Sequence, residues 1–406
     1  MSFKIKKFVM SNGERGCLIL NKETLLPVYY QNLYLTTNVR NRSATTSTME
    51  IVATNLLILS NFMKSRNIKI IDRIESKRFL SVAEVDDLIR YAKQRFDQQK
   101  ITNVRLLKGK QIATRTFSYR IHVFSNYLKW LCGLIHSMKG IHARYEIDTF
   151  IENLRAHLPR NKSHSMNDRT DKSISEEQIK TLFKLLEVDG SQNPFQKEVQ
   201  VRNRLIFTLL LNCGLRAGEL LNLKVNDLNL RNNTLSIFRR HDCIEDRRLN
   251  QPLVKTGERI IPLSEDLVME IFDYIHTCRS KTTKKKKHDF LFVTHSAGKT
   301  VGEPLSVSAY EKIISTIKKV SPELKSLSGH RLRHSWNYFY SNEIDSSNLE
   351  ISRKSGLRCY LMGWSKDSKM SENYNFKHIS EKEKEVIGRV YESLKKITEG
   401  QYNGNM

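Results

Sequence analysis

The sequence lacks several features that would place it in common classes of protein. Its six cysteines are scattered along 406 residues without a Cys-x-x-Cys pair, so it shows no disulfide framework and no thiolate zinc site. No apolar run approaches the roughly 20 residues of a membrane-spanning helix, and the first residues do not form a signal peptide. These absences predict a cytoplasmic protein with free thiols and no membrane partner.

A nucleotide-binding loop and a metal site are lacking as well. The stretch Ala-Gly-Lys-Thr at 297–300 resembles the end of a P-loop, but Val293 stands where that motif requires its first glycine. His330 and His334 are spaced as half of a helical zinc site, yet no general-base Glu lies between them and no third ligand follows. We therefore expect no cofactor and no metal.

Acidic residues are scarce relative to basic ones. The 43 Asp and Glu face 68 Lys and Arg, which gives a formal net charge of +25. Because the basic residues are spread along the chain, they predict an extended, salt-sensitive contact with a polyanion such as double-stranded DNA, and hence association with the nucleoid. A basic membrane-surface protein is the alternative, but the sequence offers no basic amphipathic anchor.

The most informative stretch that is present is Ser-Gly-His-Arg-Leu-Arg-His-Ser-Trp at 328–336. A helix after its glycine would place His330 and Arg333 on one face, with Leu332 and Trp336 pointing elsewhere into a core. A planar cation beside a titratable ring suits a site that holds a phosphate oxygen and moves a proton. The alternative is a basic, solvated helix.

Two further stretches lie upstream. The stretch 212–220 predicts a helix that stops at Gly214 and a new turn that starts with Arg216, where Glu219 can orient the guanidinium. An ordinary surface ion pair is the alternative there. Lys255 precedes a short strand that ends in Ile-Pro-Leu, and an earlier strand around 234–238 can pair with it. Lys255 is therefore predicted on a β-hairpin loop that reaches into a groove.

With Leu-Met-Gly-Trp at 361–364 and a later tyrosine, these stretches occur in an order that resembles the tyrosine recombinase (phage integrase) family. The resemblance implies a mainly α fold with a small antiparallel β-sheet in the catalytic domain, built as a two-domain DNA clamp. It implies two phosphate-binding arginines, a hairpin lysine, a histidine, a tryptophan in place of a second histidine, a supporting glutamate and a tyrosine nucleophile. In that order they are Arg216 and Arg333, Lys255, His330, Trp364, Glu219 and Tyr374.

The implied reaction accounts for these residue types. A neutral tyrosine is a weak nucleophile, so preorganised cations must stabilise the charge that builds on the phosphate oxygens. Lys255 would protonate the departing 5′ oxygen, and His330 would take the Tyr374 proton or bind the phosphate. The 3′-phosphotyrosine product stores the bond energy, so neither metal nor ATP is required. Tyr360 is the alternative nucleophile and is predicted to be a helix-packing aromatic.

The implied function is a site-specific recombinase that integrates or excises a mobile element. A type IB topoisomerase shares the arginine, lysine and tyrosine chemistry and is the enzymatic alternative, and a DNA-binding factor with a decayed site is another. The resemblance also implies a homo-tetramer on DNA, joined by C-terminal tails that dock on neighbouring protomers. A tail that packs on its own domain is the alternative. An accessory DNA-bending protein is a further candidate partner.

The sequence suggests five segments. Residues 1–45 alternate polar and apolar around an Asn-Gly turn and form a β-rich extension, and 46–158 carry helical periodicity over 48–63, 82–96 and 116–131. Residues 159–174 form a polar linker, 175–380 the catalytic domain and 381–406 a helical tail. Within the catalytic domain, the lysine-rich 281–288 is predicted as a loop before a strand at 290–293.

Overall fold

The computed structural model describes residues 3–97, 105–135, 141–159, 172–284, 286–295, 298–346, 350–365 and 387. The chain forms two compact units that divide between Ser163 and His164, inside the predicted linker segment. Each unit is mainly helical with small antiparallel sheets, so the predicted fold class is confirmed. None of the helices within these ranges has the length and apolar character that a bilayer span requires.

The first unit combines two β-hairpins with a set of helices. Strand β1 pairs with β2 and β3 pairs with β4, in both cases antiparallel. The strands are β1 (Phe3–Val9), β2 (Arg15–Asn21), β3 (Gln94–Asp97) and β4 (Arg105–Gln111). The helices are α1 (Tyr29–Tyr34), α2 (Thr46–Ser65), α3 (Ile70–Glu75), α4 (Val82–Ala92), α5 (Thr114–Ile135) and α6 (Ile141–Ala156).

The N-terminal extension shares one core with the helices that follow it. The predicted hairpin forms, and its turn contains Gly13 at φ +86°. Cys17 and Ile19 of β2 are buried together with apolar side chains of α2 and α5. The extension is β-rich only in its first half, because residues 29–42 continue as α1 and two irregular helical turns whose apolar residues enter the same core.

The helical prediction over 82–96 is wrong in its last part. Helix α4 ends at Ala92, and the chain then enters β3, part of a hairpin that the sequence did not predict. Arg120 of α5 is the physical reason. Its buried guanidinium donates to the carbonyls of Ala92 and Gln94 at 2.6 and 3.0 Å and lies over the Phe96 ring. These carbonyls are therefore satisfied without another helical turn.

The second unit places a three-stranded antiparallel sheet, ordered β5-β6-β7, beside a larger set of helices. The strands are β5 (Leu228–Asn229), β6 (Thr234–Ile237) and β7 (Arg259–Pro262). The helices are α7 (Glu176–Leu185), α8 (Lys197–Asn212), α9 (Ala217–Leu220), α10 (Glu265–Asp273), α11 (Ser280–Thr283), α12 (Val307–Val320), α13 (Gly329–Ser346) and α14 (Ile351–Met362).

The predicted strand at 290–293 is replaced by two isolated bridges, Lys224↔Phe290 and Val293↔Pro304. Residues 290–293 are all buried, but their backbone groups bind to different neighbours. The Leu291 amide donates to the Leu223 carbonyl, while the Phe292 carbonyl accepts from Leu305. The first half of the segment pairs with residues 223–224 and the second half with residues 304–305, so a continuous ladder does not form among the described residues. The predicted loop at 281–288 is also partly wrong, because its first residues belong to α11.

Candidate active site

A buried carboxylate, that of Glu219, lies at the centre of the site. Glu219 is 1% exposed and belongs to the short helix α9, for which Arg216 is the N-cap residue. The Arg216 backbone N–H donates to one carboxylate oxygen at 3.1 Å, and its guanidinium donates to the other at 3.4 Å. Because the carboxylate is enclosed by protein, the surface ion pair considered from the sequence is excluded.

The turn before Arg216 is set by a tryptophan of α13. The Trp336 indole N–H donates to the Asn212 carbonyl at 2.8 Å, where α8 ends. Gly214 then adopts φ +58°, and a Cβ at that position would come within 2.8 Å of the Trp336 ring. Only glycine suits both conditions. The chain is thereby turned into α9 with Arg216 at its start.

The connection between β6 and β7 carries Lys255. The two strands pair antiparallel, with Ile237 opposite Arg259, and residues 238–258 join them, hereafter the Lys255 loop. Lys255 itself is exposed, whereas its neighbour Thr256 is 5% exposed. The Thr256 hydroxyl donates to a Glu219 oxygen at 2.6 Å. The lysine backbone is therefore held next to the central carboxylate while its side chain is accessible from solvent.

Arg248 fixes the middle of the Lys255 loop. It is 8% exposed and forms an ion pair with Asp246 at 2.8 Å. Its Nη1 donates to the carbonyls of Leu221 and Leu305 at 2.9 and 2.8 Å, and its guanidinium lies over the Phe290 ring. The sequence gives no sign of this role, because a buried arginine with distant partners leaves no local pattern.

Arg259, the first residue of β7, was also missed. It is 4% exposed, and its Nη2 donates to Glu219 at 2.7 Å. Its Nε donates at 2.7 Å to the carbonyl of Leu361, near the end of α14. One signal was available, because the alternation of β7 places Arg259 on the same buried face as Ile261. An arginine on an apolar strand face requires an acceptor, and Glu219 supplies it.

Arg333 connects two segments of the site, the turn before α9 and the end of α14. It is fully buried, and its Nη1 donates to the Gly214 carbonyl at 2.5 Å while its Nη2 donates to the Met362 carbonyl at 2.7 Å. Its Nη1 also lies 3.7 Å from Glu219. Arg333 therefore ties the turn before α9 to the C-terminal end of α14.

His330 sits at the opening of the site, one helical turn from a second histidine. Its side chain is exposed, and its ring meets that of buried His334 edge to face at 4.8 Å. Partial burial lowers the pKa of His330, and the charges of Arg216, Arg333 and Lys172 lower it further. The neutral imidazole is therefore favoured at pH 7. The prediction that Leu332 enters the core is confirmed, whereas Trp336 is only half-buried.

The end of α14 brings Trp364 to the cluster. Gly363 caps the helix at φ +63°, and its carbonyl accepts a hydrogen bond from the Gly257 amide at 3.0 Å. The Trp364 ring centre lies 5.9 Å from the Arg333 guanidinium carbon. Tyr374, the predicted nucleophile, lies outside the described residues. Tyr360 is 50% exposed rather than packed, and its hydroxyl accepts a hydrogen bond from the Ile260 amide of β7.

The charges around Glu219 do not cancel. Burial tends to raise the pKa of Glu219, but the guanidiniums of Arg259 and Arg333 outweigh it and hold that pKa below its ordinary value. The carboxylate is therefore ionised, and it faces three guanidiniums, of Arg216, Arg259 and Arg333. The excess positive charge suits an anionic ligand such as a phosphodiester.

Part of the second unit is similar to known proteins. A model of the phage integrase family matches residues 172–352. The chain resembles tyrosine recombinase XerD of Halalkalibacterium halodurans, at 29% identity over 168 residues that cover 41% of this chain and 48% of the relative. It thus spans about half the length of that relative.

Two other similarities cover more of the chain. Tyrosine recombinase XerC of Staphylococcus aureus is 24% identical over 242 residues, which cover 57% of this chain and 70% of the relative. The solved structure of the Tn1549 transposon integrase in complex with circular intermediate DNA is 16% identical, with a TM-score of 0.48. That similarity covers 86% of this chain and 94% of the integrase chain.

The phage integrase match contains some of the predicted site residues and stops short of others. Arg216, Lys255, His330 and Arg333 lie inside it, and so does Glu219. Trp364 and Tyr374 follow its last matched residue. Within the described residues, the structure gathers Arg216, Arg333 and Trp364 around or next to the central carboxylate, with the Lys255 loop and His330 at the accessible side.

Proposed function

We propose that the protein is a site-specific recombinase that cleaves and rejoins double-stranded DNA through a 3′-phosphotyrosine intermediate. The observation that carries this proposal is the gathering of two arginines and a lysine-bearing loop around one buried carboxylate. A basic chain with a net charge of +25 fits the polyanionic substrate. The match of residues 172–352 to a model of the phage integrase family supports the same reaction class.

Arg216 and Arg333 have different tasks in this proposal. The Arg216 side chain is 26% exposed, so its guanidinium can bind a non-bridging phosphate oxygen directly. Arg333 is enclosed and held by two carbonyls, so it supplies positive charge from beneath the site and fixes the backbone around it. Trp364 adds its indole N–H as a neutral donor to the phosphate.

Lys255 and His330 carry the protons. The Tyr374 oxygen attacks phosphorus and gives its proton to the neutral imidazole of His330, whose lowered pKa favours the accepting form. The bond from phosphorus to the 5′ oxygen breaks, and exposed Lys255 protonates that oxygen. A 5′-hydroxyl of another strand then reverses both steps. Because the phosphotyrosine link conserves the bond energy, we propose that neither metal nor ATP takes part.

The same proposal includes the biological setting. We propose that the enzyme integrates or excises a mobile element at the nucleoid and acts as a homo-tetramer on paired sites, with an accessory DNA-bending protein as a candidate partner. The C-terminal tail that would join protomers lies outside the described residues. A type IB topoisomerase would instead relax any supercoiled plasmid, so cutting confined to a defined paired site distinguishes the two enzymes.

The decisive experiment is a trapping assay on nicked, labelled DNA fragments taken from around the protein's own gene. Wild-type protein should form a denaturation-resistant adduct in buffer that contains a chelator, and Tyr374→Phe should form none. Tyr360→Phe is the matched control and should retain the adduct. An adduct that survives in Tyr374→Phe would move the nucleophile elsewhere. DNA binding without any adduct would favour a decayed binding factor.

A further inference from the structure

Arg259 links three segments of the site, and the mechanism proposed above gives it no role. Its guanidinium donates hydrogen bonds to Glu219, Thr256, Gly257 and Leu361. Glu219 is in α9, Thr256 and Gly257 are in the Lys255 loop, and Leu361 is in the last turn of α14. A single guanidinium therefore connects the start of the phosphate site, the lysine and the segment that leads to Tyr374.

The contacts form a closed ring beside Lys255. The Thr256 hydroxyl accepts from Arg259 Nη1 at 3.2 Å and donates to Glu219 at 2.6 Å. Arg259 Nη2 completes the ring by donating to the second Glu219 oxygen at 2.7 Å. Both Arg259 and Glu219 side chains are fully buried, so water does not compete for these bonds. The backbone next to Lys255 is held in one place.

The ring is also closed against α14. Besides the bond from Arg259 Nε to Leu361, the Gly257 amide donates to the Gly363 carbonyl at 3.0 Å. A Cβ at Gly363 would lie 2.9 Å from Arg259 Nη1 and 2.8 Å from the Thr256 Cβ. The loop and the helix end are therefore in direct contact, and Arg259 fills the space between them.

We propose that Arg259 is a positioning residue that holds the Lys255 loop against the end of α14, so that Lys255 reaches the departing 5′ oxygen. This inference rests on the function proposed above, in which Lys255 is the general acid. Lysine cannot replace arginine here. Its single ammonium keeps the charge opposite Glu219 but cannot reach that carboxylate and the Leu361 carbonyl in one fixed geometry.

The test uses two DNA substrates that differ in one atom. One has the natural 5′ oxygen at the cleaved bond and the other has sulfur in that position. Attack by Tyr374 forms the phosphotyrosine bond in both, and the leaving group departs with the bonding electron pair. A thiolate leaves without a proton because a thiol has a pKa of about 8.5. The sulfur substrate therefore removes the need for a correctly placed Lys255.

We expect Arg259→Lys to slow cleavage of the oxygen substrate about 100-fold and to cleave the sulfur substrate within about threefold of wild type. Lys255→Ala removes the proposed general acid, so it gives the ratio of sulfur to oxygen cleavage rates that is expected when the acid is absent. DNA affinity at fixed salt should stay within about twofold of wild type, because Arg259 is buried. Thr256→Val, which breaks the same ring through its hydroxyl, should show the same preference for sulfur with a smaller loss.

Arg248→Lys is the matched control. Arg248 is a buried arginine of the Lys255 loop, with a carboxylate at 2.8 Å and two carbonyl acceptors, and these partners, Asp246, Leu221 and Leu305, are not neighbours of Lys255 in the chain. The Arg248→Lys variant should be less stable than wild type but should have the same ratio of sulfur to oxygen cleavage rates. Equal slowing of both substrates in Arg259→Lys would overturn the inference and leave the recombinase function intact. Absence of an adduct with wild-type protein on either substrate would remove the proposed function, and this inference with it.

Discussion

Replacement of Glu219 by glutamine tests whether the central carboxylate holds the site together. The substitution keeps the shape of the side chain but removes its charge, and it leaves the buried guanidiniums of Arg259 and Arg333 without their counterion. Removal of one partner from a buried ion pair costs about 3–5 kcal/mol. Because the amide oxygen can still accept from one donor, we expect a loss near the lower end, about 3 kcal/mol.

A loss of about 3 kcal/mol lowers the folding equilibrium constant roughly 150-fold, since about 1.36 kcal/mol corresponds to a factor of ten. For a domain of 150–250 residues it corresponds to a decrease of about 6–12 °C in melting temperature. The direction in which this contribution to stability changes with pH follows from the direction of the pKa shift. The pKa of Glu219 is lowered in the folded protein, so its contribution is present above the unfolded value near 4.5 and is lost as pH falls through the folded value.

The assay is urea unfolding followed by tryptophan fluorescence in a Trp130→Phe background. The other two tryptophans, Trp336 and Trp364, both belong to the second unit, so the signal reports that unit alone. Glu245→Gln is the matched control. Glu245 pairs with Lys224 at 2.6 Å, but its side chain is 50% exposed, and such pairs contribute about 0–1 kcal/mol.

Two results would refute this reasoning. One is a urea midpoint of Glu219→Gln that matches that of Glu245→Gln at neutral pH. This would mean that the cost of burying the carboxylate equals the stabilisation from its ion pairs. The other is a stability difference from wild type that stays constant as pH is lowered below the unfolded pKa of Glu219. A charge effect must shrink there, whereas a packing effect need not.

Three further predictions concern single residues. Gly214→Ala forces a side chain onto positive φ and against Trp336, so it should destabilise the second unit by about 1–3 kcal/mol, measured in the same unfolding assay; an unchanged midpoint would contradict the tight fit. In the proposed mechanism His330 is a neutral base with a lowered pKa, so the cleavage rate should fall only as pH drops below the ordinary histidine value near 6.5; His330→Gln should be slower and should lose that decline. Arg216→Lys should lower the rate of adduct formation about 10²-fold with DNA affinity nearly unchanged, and equal loss in both quantities would assign Arg216 to general DNA binding instead.

The local geometry that the sequence predicted around Arg216 and Glu219 is encoded within a few residues. Gly214 ends one helix, and the spacing of three between Arg216 and Glu219 makes them neighbours. The start of α7 is another local feature, because Ser175 caps the helix and the Gln178 side chain bonds back to the Ser175 amide. Local chemistry decides these features, so they can be read without knowledge of the fold.

The features that the sequence analysis missed depend on distant partners. Arg259 meets Glu219 across 40 residues, and Arg248 meets the Leu305 carbonyl across 57. The helix predicted through Phe96 stops earlier because Arg120, far along the chain, binds the carbonyls of its last turn. In each case a buried arginine stabilises the observed structure. Arginine is usually exposed, so such a buried contact is not expected from the sequence. The nucleophile and the tail, which lie outside the described residues, stay predictions.

The long-range bonds of Arg333 and its neighbours have a kinetic consequence for the nascent chain. Arg333 binds a carbonyl 119 residues earlier and another 29 residues later, and the Ser335 hydroxyl accepts from an amide 161 residues away. Contacts of such separation carry a loop-closure cost and form late in folding. During synthesis, the cluster around Glu219 can close only after Leu361 and Met362 have left the ribosome. A nascent chain shorter than that already carries most of the basic residues, so under the proposed function DNA binding is expected to precede DNA cleavage.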